Sequence, residues 1–91
     1  MQRLHVRIHG RVQGVGFRWF AREEARRLGL SGWVTNRAGG EVEVAAGGEA
    51  FSLERLRRAL EVGPPGAQVE RLEDVGEETD GTLPYPFSIH R

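Results

Sequence analysis

The sequence contains no cysteine and no lysine. Without cysteine there is no disulfide framework, no thiolate nucleophile and no cysteine-bound zinc or iron–sulfur site. Without lysine there is no Schiff-base chemistry and no Walker-type phosphate lysine. No apolar run reaches the roughly 18–20 residues that a membrane span requires, and the amino terminus lacks a signal-peptide pattern. The 91 residues leave room for one small domain, 1–91, with a thin core. A cytoplasmic protein is the expectation. The apolar content of 38% falls into alternating and helical patterns, which argues for a folded chain rather than disorder.

Net charge is also lacking. Thirteen arginines balance thirteen acids, which argues against nucleic acid or a membrane surface as partner. The balance hides a polarity. Residues 1–37 hold eight arginines and two acids, a net +6; residues 38–91 hold five arginines and eleven acids, a net −6. A basic first third attached to an acidic remainder suits a small anionic ligand better than a long polyanion.

Leu4, Val6 and Ile8 alternate with Arg3, His5, Arg7 and His9, the pattern of a half-buried strand. From Phe17 the period changes to that of a helix, with Phe20, Ala21, Ala25 and Leu28 on the stripe and Gly29 as its stop. Two strand-like runs, 33–37 and 41–46, flank Ala38-Gly39-Gly40 and predict a hairpin. A second helix is predicted over 49–61, with Phe51, Leu53, Leu56, Ala59 and Leu60 towards the core. Gly63-Pro64-Pro65-Gly66 ends it. Val69, Leu72 and Val75 mark a strand whose broken alternation predicts a bulge near Arg71. After a polar turn over 76–84, Tyr85, Phe87 and Ile89 alternate in a last short strand. Trp33 is assigned to the core and Trp19 to a half-exposed position on the first helix. The order β-α-β-β-α-β predicts an α+β fold, a ferredoxin-like βαββαβ sandwich. Its antiparallel sheet carries two helices on one face and a short extra carboxy-terminal strand.

The segment from Gly10 to Arg18 joins the first strand to the first helix. Its glycines let successive N–H groups turn inward, and the helix start adds unpaired N–H groups and a positive dipole end. Arg18 can lay a planar fork of donors over the same spot. An arginine at this end opposes the helix dipole, which suggests an anion nearby. Taken alone, the segment reads equally well as an anion cradle or as a tight turn carrying a solvated arginine. Asn36 lies late in the second strand, near the same end of the sheet as the loop. Its amide can orient a water but cannot act as a base, and without context it reads as a strand-end turn residue. His5 and His9 stand about 13 Å apart along one strand, too far to share a metal ion, and His90 is isolated. No metal and no cofactor are expected.

The run Gly10-Arg11-Val12-Gln13-Gly14-Val15-Gly16-Phe17-Arg18 resembles the phosphate-loop motif of the acylphosphatase family. Gly32-Trp33-Val34-Thr35-Asn36, followed by Gly40-Glu41-Val42 and Gly48, resembles that family's second motif with its spacing kept. Gly63-Pro64, Ala67 and Val69 extend the resemblance over essentially the whole chain. Two departures stand out: Thr35 replaces a longer, often basic residue, and His90-Arg91 stands where an aromatic often closes the family. The resemblance implies that Arg18 binds the phosphoryl oxygens and that the backbone of Gln13, Gly14, Val15, Gly16 and Phe17 completes the cradle. It implies that Asn36 holds the attacking water. The implied reaction is hydrolysis of a small-molecule acyl phosphate to carboxylate and inorganic phosphate, the latter also a competitor, by a metal-independent monomer. Two other readings differ in class. One is a phosphate or carbamoyl-phosphate module serving a larger partner. The other is an RNA-recognition-like sandwich, disfavoured because Glu41, Val42, Glu43 and Val44 offer no stacking surface on the hairpin.

Overall fold

The computed structural model describes residues 2–76 and 82–91. Residues 77–81 of the polar turn expected over 76–84 lie outside them. The elements run β1 (Gln2–Arg11), α1 (Phe17–Arg27), β2 (Ser31–Asn36), β3 (Val42–Gly48), α2 (Ala50–Val62), β4 (Gln68–Asp74) and β5 (Ser88–Ile89). They form one five-stranded sheet of order β4-β1-β3-β2-β5. The first four strands pair antiparallel, as predicted for a ferredoxin-like α+β sandwich. The sheet is nevertheless mixed, because β5 joins the free edge of β2 in parallel.

Alternation decides which strand residues meet the helices. Leu4, Val6 and Ile8 of β1, Val34 of β2, and Val42, Val44 and Ala46 of β3 are buried in one core with Phe17, Ala21 and Ala25 of α1 and Leu53, Leu56 and Leu60 of α2. The helices therefore cover a single face. α1 ends as its sequence predicts: Gly29 has φ +73°, its N–H reaches the Arg26 carbonyl at 3.0 Å, and the Leu30 N–H reaches Ala25 at 2.9 Å. This paired closure is the Schellman arrangement, with Leu30 buried behind it. In β4 the pairing of β1 steps from Arg71 to Val69 between His9 and Gly10, which leaves Glu70 as the bulged residue.

Two core assignments and one strand boundary change. Phe51 is 72% exposed, because the buried stripe of α2 runs through Leu53, Leu56 and Leu60 and a residue two before Leu53 points the other way. The Arg55 guanidinium, one turn on, covers its ring at 5.7 Å. Trp33 lies on the helix-free face, since its neighbour Val34 takes the core side. It is half-buried there, stacked on His90 and edge-on to His5. Tyr85 is exposed and precedes β5 rather than forming part of it, while Phe87 is fully buried.

Candidate active site

β1 leads to α1 through residues 12–16. Gly14 and Gly16 both have φ +78°, a region that strains an L side chain by roughly 1–2 kcal/mol. A Cβ on either glycine would meet nothing within 4 Å, so conformation rather than crowding calls for glycine. Gly16 is the N-cap of α1 and provides no side-chain cap, and the first turn holds no acid. The first N–H groups of α1 are left for water or a ligand. Val12 is buried and Val15 packs against the core, which anchors the loop from beneath. Phe17 is also buried, so only its backbone can serve a ligand.

Gln13 contributes more than backbone. Its Nε2 donates to the carbonyls of Arg37 at 2.8 Å and Glu41 at 3.0 Å. These carbonyls flank the Ala38-Gly39-Gly40 turn, which is closed by the Arg37 N–H donating to Glu41 at 2.8 Å. The side chain thus clasps the loop to the hairpin that carries Asn36. Its signal in the sequence is an amide donor set among glycines and valines, but its target was not readable there.

Gly14, Gly16, Phe17, Arg18 and Asn36 line one cleft of about 190 Å3. Gln13 and Val15 of the same loop do not line it. Arg18 and Asn36 are both half-buried, and among the described residues neither side chain has a hydrogen-bond or ion-pair partner. Trp19, Ile89 and Arg91 complete the rim. Ile89 and Arg91 are brought there by β5, whose edge position no local pattern announces.

Most other arginines of the basic first third are engaged. Arg22 pairs with Glu23, Arg27 with Glu24, and Arg37 with Glu43. Arg26 donates to the Phe87 carbonyl at 2.8 Å. Glu43 is the one buried charged residue among those described. It sits opposite Thr35, one position from Asn36, and lies 2.6 Å from Arg37, 2.5 Å from His5 and 3.9 Å from Arg7. Burial pushes its carboxyl up, but hydrogen bonds from His5 and Arg37, with their charges, outweigh that and hold it below the usual glutamate range. The open face of the sheet therefore fastens the hairpin beside Asn36. Among the described residues, no group of three or more His, Asp or Glu could hold a metal ion, and no helix is long and apolar enough to cross a membrane.

The acylphosphatase family model matches residues 4–89. An acylphosphatase of Thermococcus kodakarensis is 49% identical over 79 residues, covering 87% of each chain. The crystal structure of acylphosphatase from Bacillus subtilis superposes over the full length of both chains with a TM-score of 0.89 at 36% identity. The whole chain also superposes on 12% of T. kodakarensis HypF, with a TM-score of 0.83 at 30% identity. A match of this length, with the fold to go with it, means that the chain belongs to the acylphosphatase family, a family of hydrolases.

Proposed function

We propose that the protein hydrolyses carboxyl-phosphate anhydrides, with Arg18 and the 13–18 loop binding the phosphoryl group and Asn36 holding the attacking water. One observation carries this reading. Two polar side chains from separate elements, Arg18 and Asn36, face a single cleft beside an uncapped helix N-terminus, with no protein partner among the described residues.

The reaction needs little beyond that. Water oxygen attacks phosphorus, the bond from phosphorus to the carboxyl oxygen breaks, and the electron pair leaves with the carboxylate. The leaving group has a pKa of about 4, so no general acid is required. Protons of the water end on phosphate oxygens, and a substrate phosphoryl oxygen is the base nearest to hand. The protein supplies position and charge: the Arg18 fork and the loop amides meet the equatorial oxygens, where negative charge is spread in the transition state. The Asn36 carbonyl oxygen accepts from the water and its amide N–H donates to it or to a phosphoryl oxygen, which aims the lone pair at phosphorus. None of these steps calls on a metal ion.

The test is continuous spectrophotometric hydrolysis of benzoyl phosphate with a chelator present and inorganic phosphate as competitor. Turnover that survives chelation and falls with added phosphate is the expected result. Failure of the purified protein to hydrolyse any simple acyl phosphate would reject the assignment.

A further inference from the structure

The cleft is larger in character than a phosphate cradle. Of its apolar lining, Val12 and Phe17 are buried beneath the loop. The apolar surface that remains open to a ligand comes from Trp19 and, to a smaller extent, Ile89. Trp19 is 59% exposed, among the largest apolar surfaces on the protein, and it directly follows Arg18 in the first turn of α1. The buried stripe of α1 runs through Phe17, Ala21 and Ala25, so Trp19 adds nothing to the core that would account for it. Phe51, comparably exposed, is covered by an arginine of its own helix; no such ring contact covers Trp19 among the described residues.

In-line displacement places the leaving carboxylate on the side of phosphorus away from the attacking water. With the water at Asn36, the acyl group is directed to the part of the cleft that Asn36 does not occupy, and Trp19 belongs to the α1 wall rather than to the β2 edge.

We infer that Trp19 is a specificity-determining residue: its indole face receives the acyl group and favours acyl phosphates with a planar aromatic acyl group over those with a short aliphatic one. This rests on the acylphosphatase reading and adds the substrate class to it. The indole contact lies on the non-reacting part of the substrate, so it acts in ground state and transition state alike and appears mainly in KM. Aromatic contact of this kind corresponds to a preference of about three- to tenfold beyond simple area.

The experiment compares benzoyl phosphate with acetyl phosphate in the wild type, Trp19→Ala and Trp19→Phe, and measures inhibition by inorganic phosphate in all three. The wild type is expected to show a lower KM for benzoyl phosphate. In Trp19→Ala the ratio of the two kcat/KM values should fall by about three- to tenfold, with the larger loss on benzoyl phosphate and with inhibition by inorganic phosphate retained. Trp19→Phe should keep most of the preference. An unchanged ratio in Trp19→Ala would overturn the inference. So would an equal loss on both substrates with weakened phosphate inhibition, which marks a structural role in the loop. A wild type that hydrolyses neither substrate would instead sink the underlying acylphosphatase reading.

Discussion

The side-chain amide of Gln13 donates to the backbone carbonyl of Arg37 at 2.8 Å, joining the loop before α1 to the residue that follows Asn36. Two halves of a site that are remote in the sequence are held together by one glutamine. Gln13→Ala removes this bond and its companion to Glu41, which should cost about 1–3 kcal/mol of stability. Its kcat should fall more than its affinity for inorganic phosphate, because the loop keeps its own shape while Asn36 loses its fixed distance from it. Denaturant unfolding and steady-state kinetics on the same preparation would check both halves of this statement.

Arg18 and Asn36 should separate in their effects. Arg18→Ala should lose about 10²–10³ in turnover, the scale of removing an oxyanion donor, together with inhibition by inorganic phosphate. Arg18→Lys should recover little, since an ammonium is a point charge and not a planar fork. Asn36→Ala should abolish turnover while phosphate still binds. Near-wild-type hydrolysis by an Arg18 variant would remove it from the mechanism.

Glu43 predicts a pH dependence with a definite sign. Its carboxyl is held below the ordinary value of 4.5 in the folded protein, against its burial, by His5 and Arg37. Arg7 also faces it. A carboxylate with a depressed folded value binds protons more readily when unfolded. Its contribution is present above about pH 4.5 and is lost as pH falls through the folded value. Glu43→Gln should therefore flatten the acid side of the stability curve. Glu43→Ala should cost about 1 kcal/mol near neutral pH by removing the acceptor of the part-buried His5 and of Arg37. Urea unfolding from pH 3 to pH 7 would measure this, and parallel curves for wild type and Glu43→Gln would contradict it.

Gly16→Ala isolates backbone conformation from space. At φ +78° the new Cβ meets no atom within 4 Å, so the protein should fold with a loss of about 1 kcal/mol. Inorganic phosphate should bind more weakly, because relief of the strain turns the loop amides away from the cleft. Calorimetric titration with phosphate beside thermal unfolding would show whether binding suffers more than stability.

Phe51 and Leu56 of α2 should part company. Leu56→Ala creates a cavity in the core and should cost about 2–5 kcal/mol. Phe51→Ala, on the solvent side under Arg55, should stay within about 0.5 kcal/mol. Equal losses at both would mean that the helix presents a different face.

Local chemistry settled much of this protein from the sequence alone. Alternation at Leu4, Val6 and Ile8, helical spacing at Phe17, Ala21 and Ala25, and the glycine stop at Gly29 depend on neighbours a few residues away. Sequence carries those directly. The glycine loop and its following arginine belong to the same class, since positive φ and a helix start are local properties. Even the bulge at Glu70 announced itself as a break in period. Wherever two periods competed, as at Phe51 or at Trp33 beside Val34, residue hydrophobicity was a poor guide, because the face is chosen by the whole stripe.

What only the tertiary structure decided were relationships across the sheet. The parallel docking of β5 brings Ile89 and Arg91 to the rim of the cleft. The Gln13 clasp and the burial of Glu43 among His5, Arg7 and Arg37 require strands that meet only after folding. The same pairing changes the meaning of the basic first third. Its arginines are largely answered by acids or carbonyls that the fold brings alongside, whereas Arg18 faces the cleft unanswered among the described residues. Charge and spacing are written along one dimension. Which charges neutralise one another, and which is left for a ligand, is set by distances that exist only in three.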